Sequence, residues 1–120
     1  MAELRARGEP WPAEMPLEVA RGEQIEIEPV ESPTVRETYV VPTFDGGSRT
    51  FTENLRYSWA ATGGNFSDRI TGGAKDIFGN EPLLRTRWRA PREPGTIRMW
   101  IVQRDERGGT SWTERTVVVP

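Results

Sequence analysis

The fold is decided by the stretch GTIRMWIVQR at residues 95–104. Every second residue from Ile97 to Ile101 is apolar, so these side chains share one face of an extended strand. The segment DERGG at residues 105–109 is typical of a hairpin turn, and residues 111–119 return as a second β-prone segment. The pattern therefore predicts a long antiparallel hairpin with one buried face.

The same period of two occurs upstream in three shorter stretches, at residues 24–28 (QIEIE), 55–61 (LRYSWAA) and 84–90 (LRTRWRA). Each places apolar side chains on one face and mostly polar or charged side chains on the other. Residues 38–41 and 49–52 are also β-prone, and no stretch has the 3.6-residue period of a helix. The chain is therefore predicted to be an all-β antiparallel sandwich of about seven short strands.

Residues 62–82 are rich in glycine and predict a long loop with a short edge strand at Asn65 to Ser67. Met1 to Pro16 is rich in proline and has no period, so it is predicted to be an N-terminal arm or linker before a sandwich domain at residues 17–120. No stretch approaches the roughly 20 apolar residues of a membrane-spanning helix, so no membrane insertion is expected.

Two absences limit the chemistry that this chain can perform. Its 120 residues include no Cys and no His. Thiol nucleophiles, thiolate metal sites, imidazole bases and the catalytic triads that use them are therefore excluded. A pair of carboxylates remains conceivable, but nothing places two of them at a fixed separation, and we expect no enzymatic activity and no cofactor.

The charge balance does not favour a nucleic-acid partner. Sixteen basic residues stand against 18 acidic ones, which gives a formal net charge of −2. Among the basic residues only Lys75 is a lysine, and this preference for arginine is typical of proteins from GC-rich bacterial genomes.

An ordered set of motifs resembles a known family. The motifs are YSW at 57–59, GNFS at 64–67, TRWRAP at 86–91, GTIRMWI at 95–101, Asp105 with the glycines at 108–109, and VVV at 117–119. In this order they resemble the PKD-like and bacterial immunoglobulin-like (Ig-like) repeats of surface proteins and lipoproteins. The resemblance implies an Ig-like sandwich located outside the cytoplasm, with Trp59 and Trp88 in its core. It also implies a non-catalytic module that spaces neighbouring domains or binds a protein.

A candidate interaction surface lies on the outward face of the final hairpin. If the residues at 97, 99 and 101 point inward, Trp100 and Val102 point outward, and Trp112 can join them from the adjoining strand. Such a patch is either an interface or is covered by the N-terminal arm or by residues 31–54. Trp11, between two prolines of the arm, is a further candidate that docks on the body or on a neighbour.

Two alternative functions use the same residues. A carbohydrate-binding module would stack sugar rings on an exposed row formed by Trp100, Trp112 and Trp11. A self-assembling fibre subunit would instead insert its N-terminal arm at the sheet edge of a neighbouring copy.

Arg85, Arg87 and Arg89 are expected to form a column on one strand face. The column could receive an anionic glycan or an acidic protein surface, but pairing with carboxylates on adjacent strands is the simpler interpretation.

Calcium is the cation that loop carboxylates would suit, and the candidate ligands are Asp68, Asp76 and Asp105. Their spacing matches no known calcium loop, and Asp105 is explained more simply as a turn residue. We therefore predict that no metal is bound, and we keep Asp68, Asp76 and Asp105 as weak calcium candidates.

Overall fold

A computed structural model describes residues 3–31, 38–42, 48–52 and 54–120, with the backbone alone for 38–42 and 48–52. Within these residues the chain forms twelve strands and no helix, so none of the described segments could cross a bilayer as a helix. The strands are β1 (Glu3–Ala6), β2 (Glu9–Pro10), β3 (Leu17–Glu18), β4 (Gln24–Val30), β5 (Thr38–Pro42), β6 (Ser48–Thr52), β7 (Arg56–Ala61), β8 (Asn65–Phe66), β9 (Ile70–Gly72), β10 (Thr86–Arg89), β11 (Gly95–Arg104) and β12 (Thr110–Val119). The all-β prediction is confirmed.

Two five-stranded sheets make up the body of the molecule, consistent with a β-sandwich. Sheet I has the strand order β2-β1-β4-β10-β8, and sheet II has the order β3-β12-β11-β7-β9. Strands β5 and β6 pair with each other as a separate antiparallel hairpin between β4 and β7. The strands expected at 38–41 and 49–52 are therefore present, and residues 43–47 between them lie outside the described residues.

The predicted final hairpin is the longest pairing of the structure. Strands β11 and β12 run antiparallel from the pair Gly95 and Val119 to the pair Arg104 and Thr110. Along β11 the buried residues alternate with more exposed ones, as the period of two predicts. Asp105 closes the turn, because its backbone N–H donates to the carbonyl of Gly109 at 3.0 Å.

The core lies between the sheets and contains a buried tryptophan from each. Trp59 of β7 donates its indole N–H to the hydroxyl of Thr71 at 2.9 Å, and Trp88 of β10 donates to the carbonyl of Gly63 at 3.1 Å. Both indoles are thus buried with their polar atom satisfied, which is the condition for burying tryptophan without penalty. The predicted core role of these two residues is confirmed.

The N-terminal segment differs from the predicted arm. Strand β1 lies in sheet I, where it pairs antiparallel with β4, and Leu4 and Ala6 are buried in the common core. The alternation of Leu4 and Ala6 with Arg5 and Arg7 is too short to stand out as a period among the surrounding prolines. Residues 3–11 are nevertheless part of the sandwich.

The glycine-rich segment contains one more strand than expected. Strand β8 corresponds to the predicted edge strand, and β9 pairs with β7 through Ile70, Thr71 and Gly72. Thr71 is buried, accepting from Trp59 and donating its hydroxyl to the carbonyl of Leu84 at 2.7 Å. The hydrogen bonds of the Thr71 hydroxyl attach β9 to its neighbours. A strand attached in this way has no apolar periodicity by which the sequence could indicate it.

Gly64 is required at the turn that precedes β8. Its φ is +77°, and a Cβ there would lie 2.5 Å from the Arg89 carbonyl oxygen and from the Trp88 ring. We expect Gly64→Ala to lower the free energy of unfolding by about 3 kcal/mol, measured by urea denaturation, because strain and overlap add.

Gly8 provides the matched control for that substitution. Its φ is +76°, yet a Cβ there meets nothing within 4 Å. Gly8→Ala should lower the free energy of unfolding by only about 1 kcal/mol, from backbone strain alone. Equal losses for the two variants would contradict the proposed overlap at Gly64.

Candidate binding surface

The outer face of sheet II carries a row of mostly apolar side chains that crosses four strands. Ile70 of β9 is opposite Ser58 of β7, Ser58 is opposite Val102 of β11, and Val102 is opposite Trp112 of β12. Neighbouring strands lie about 4.8 Å apart, so the row is about 14 Å long. Ile70 and Trp112 at its two ends are 60% and 62% exposed.

A second row lies two residues further along each strand. Trp100 of β11 is opposite Ala60 of β7 on one side and Glu114 of β12 on the other. Glu114 also forms an ion pair with Arg98 at 3.6 Å. We call the surface formed by Ile70, Ser58, Val102, Trp112, Ala60 and Trp100 the tryptophan face.

The tryptophan face brings together three of the residues predicted to share a surface. Trp100 and Val102 are half-buried, and Trp112 is exposed. The N-terminal segment lies in sheet I and therefore does not cover this face. The exposure of Trp112 and Ile70 also shows that no other part of the described chain closes over the two ends of the row.

Trp11 does not belong to this surface, because it docks on the body of its own chain, one of the two positions expected for it. It is 3% exposed, and its indole N–H donates to the Met15 carbonyl at 2.9 Å. The Arg115 guanidinium lies 6.0 Å from the centre of its ring and donates through Nε to the Trp11 carbonyl at 3.0 Å. The prolines on both sides extend the backbone, and the large apolar ring is buried at the side of the sandwich.

The arginine column lies on the outer face of sheet I, as the alternation predicts. Arg85 forms an ion pair with Glu26 of β4 at 3.5 Å. Arg89 donates to the carbonyl of Gly22 at 2.9 Å and to the side chain of Gln24 at 3.2 Å. Two of the three guanidiniums are therefore engaged by neighbouring segments, and Arg87 stands between them, exposed on the same face.

Each of the three candidate calcium ligands accepts hydrogen bonds from its own loop. Asp105 accepts the N–H groups of Arg107 and Gly109, and Asp68 accepts from the hydroxyl of Ser67 at 3.2 Å. Among the residues that the structure describes, no three carboxylates lie close enough together to hold a metal ion.

The third candidate, Asp76, organises a tight turn within the long loop that the sequence predicts at residues 62–82. Its carboxylate accepts the backbone N–H of Asn80 at 2.9 Å, the side-chain N–H of Asn80 at 3.0 Å and the N–H of Phe78 at 2.8 Å. These bonds, first of all that from the Asn80 backbone, lower the pKa of the Asp76 carboxyl. The loop presents Ile77 and Phe78 at 93% and 82% exposure. The DxFGN sequence carries a turn signal, but two exposed apolar residues inside it give no periodic signal.

Comparison with known proteins leaves the family open. No family model matches the sequence, and no curated protein matches it. Among solved structures, the chain is similar to a nucleoside hydrolase-related hypothetical protein from Saccharophagus degradans that is described as associated with carbohydrate metabolism. The two are 18% identical with a TM-score of 0.49, and the match covers 97% of this chain and 24% of that one. The chain therefore spans about a quarter of the length of the protein that it matches.

Proposed function

We propose that the chain is a non-catalytic, Ig-like module of an extracytoplasmic bacterial protein and that it binds a protein partner through the tryptophan face. The strand order supports the Ig-like assignment. Strands β1, β4 and β10 adjoin in one sheet and β12, β11 and β7 in the other, as strands A, B, E and G, F, C do in Ig domains. Trp59 on β7 takes the place of the core tryptophan of strand C.

The observation that carries the proposal is the in-register row from Ile70 to Trp112. Tryptophan is among the residues that dominate binding energy at protein interfaces, and Trp112 is exposed on a paired strand. Burying the 62% of Trp112 that is exposed would contribute about 3 kcal/mol before the entropic cost of association. The bacterial and extracytoplasmic parts of the proposal rest on the arginine preference and on the motif resemblance.

A carbohydrate-binding module is the second candidate, and the exposed ring of Trp112 is the observation in its favour. Sugar-binding platforms use several exposed rings. Here Trp11 is buried and Trp100 is half-buried, while the other members of the row with Trp112 are Ile70, Val102 and Ser58, none of which is aromatic. A protein partner that presents apolar side chains therefore fits the composition of the tryptophan face better than a sugar does.

Assembly through an exchanged N-terminal arm loses its main support. Strand β1 pairs along its full length with β4 of its own chain, and Leu4 is buried there. Within residues 3–31, the segment that strand exchange would use is already paired in a sheet of its own chain.

Photo-crosslinking tests the proposed protein interface. We expect p-benzoylphenylalanine in place of Trp112, in the full-length parent protein within its own cells, to give an adduct of defined mass. The same group in place of Arg87, on the opposite sheet, should give none. We further expect Trp112→Ser to weaken binding of the captured protein at least tenfold, because the exposed indole supplies the contact area, with the melting temperature unchanged.

Two results would count against the protein interface. The first is equal crosslinking from positions 112 and 87. The second is retardation of the wild-type domain in gels containing a neutral polysaccharide, lost in Trp112→Ser, which would support carbohydrate binding instead.

A further inference from the structure

We propose that Arg56 and Arg104 form an anion site that receives an acidic side chain of the protein bound on the tryptophan face. This inference rests on the proposed function and adds to it the chemical character of the partner. It is carried by the strand register, by the hydrogen bonds of the carboxylates nearby and by the cavity that the two guanidiniums line.

The two arginines are cross-strand neighbours of like charge. Arg56 of β7 is directly opposite Arg104 of β11, and both side chains are exposed on the outer face of sheet II. The next residues in this row are Gly72 on β9 and Thr110 on β12, which carry no charge. Like charges placed directly opposite each other destabilise a sheet, and an anion bound between them would relieve this repulsion.

No carboxylate of residues 3–31 or 54–120 forms an ion pair with either guanidinium. The acids closest to them in the sequence, Asp105 and Glu106, accept hydrogen bonds from other groups, although both line the same cavity. Asp105 accepts backbone N–H groups of its own turn, from Arg107 at 2.9 Å and from Gly109 at 2.6 Å. Glu106 accepts the side-chain N–H of Asn54 at 2.6 Å.

A cavity of about 290 Å³ opens at this place, and both arginines line it. The other lining residues are Asn54, Gly73, Ala74, Asp105 and Glu106. The volume is at the lower end of the range for small-molecule sites, which suits one side chain and not a run of sugar rings. Guanidinium groups bind carboxylates through two parallel hydrogen bonds, and a pair of arginines can hold one carboxylate from two sides.

The position of the pair relative to the tryptophan face indicates a protein ligand. Arg104 and Trp112 are diagonal neighbours on facing strands, a relation that corresponds to about 7–8 Å between their Cα atoms. A partner that buries the indole therefore brings an adjacent residue within reach of the guanidiniums. Val102 and Ile70 continue the apolar row and favour aliphatic side chains over sugar rings.

The test uses the intact chain and a blocked pentaglutamate peptide as the probe, titrated at low ionic strength. Binding is followed by calorimetry and by the Nε–Hε NMR signals of Arg56 and Arg104. We expect the double variant Arg56→Gln, Arg104→Gln to bind the peptide at least tenfold more weakly than the wild type. It should also melt at a higher temperature in low salt, because the repulsion is removed.

The matched control is the double variant Arg85→Gln, Arg87→Gln, which removes the same charge from the outer face of sheet I. Its peptide affinity should change less than twofold. If both double variants weaken peptide binding equally, the proposed site is refuted, because the loss would then be explained by the change in net charge alone. Failure of the wild type to bind the peptide would overturn it as well. If polygalacturonate binds more tightly than the peptide and its binding depends on Arg56 and Arg104, the ligand is an acidic polysaccharide and the proposal of a protein ligand is wrong.

The same variants separate this inference from the proposed function. If crosslinking from position 112 persists undiminished in the Arg56→Gln, Arg104→Gln background, the protein interface stands and the anion site is refuted. If position 112 gives no adduct while the peptide still depends on the two arginines, the anion site stands and the proposed interface is refuted.

Discussion

Replacing Trp88 by alanine is expected to lower the free energy of unfolding by about 3–5 kcal/mol. The side chain is fully buried, at 0% exposure, and lies in the core between the two sheets. Its removal leaves a cavity that the flanking strands cannot close, and it also leaves the Gly63 carbonyl without its indole donor. A domain of this size has a total stability of about 5–15 kcal/mol, so the variant should be only marginally folded.

Thermal melting and urea denaturation measure this loss, and Trp112→Ala is the matched control. The melting temperature of Trp88→Ala should fall by about 15 °C, whereas that of Trp112→Ala should stay within about 2 °C, since the latter indole is mostly exposed. A loss below about 1 kcal/mol for Trp88→Ala would mean that the two sheets do not pack around this residue.

Deletion of residues 1–16 is expected to abolish the folded state. The deletion removes strand β1 together with the buried side chains of Leu4, Ala6 and Trp11. It also exposes the edge of β4 and removes the Trp11 carbonyl, which leaves the Nε–H of Arg115 without its acceptor. The combined loss exceeds about 5 kcal/mol, which is comparable with the whole stability of a small domain.

Circular dichroism and amide hydrogen exchange would show this outcome as loss of the cooperative transition. The control is Met15→Ser in the full chain, because this side chain is exposed and the substitution keeps the backbone carbonyl that accepts from Trp11. That variant should melt within about 2 °C of the wild type. A truncated chain that still unfolds cooperatively at an unchanged temperature would show that residues 1–16 are a dispensable arm.

The sequence was sufficient to predict the strands that have a clear period of two. The alternation along 95–104 correctly predicted which residues of β11 are buried, and Trp59 and Trp88 were correctly placed in the core. Strands β1 and β9 were missed for physical reasons. Each is only three or four residues long, and β9 is held by the buried hydroxyl of Thr71, which contributes to hydrogen bonding and not to an apolar pattern.

Part of the candidate surface could be predicted for the same reason, and part could not. Alternation alone placed Trp100 and Val102 on the outer face of β11. The juxtaposition of Arg56 with Arg104, and that of Ile70 with Ser58, depend on the register between strands distant in the sequence. The register is set by the turns and by the packing of the core, so it cannot be predicted from the residue pattern of a single strand.

The parallel pairing of β3 with β12 has a mechanical consequence. Val117 and Val118 lie beside Leu17 and Glu18, and the N–H of Val19 donates to the carbonyl of Val118 at 3.0 Å. Tension applied between Leu17 and Val119 pulls these parallel strands in opposite directions along their own axes. The hydrogen bonds between them are then loaded together in shear, instead of opening one after another like a zipper, so this pairing resists stretching once the force reaches β3.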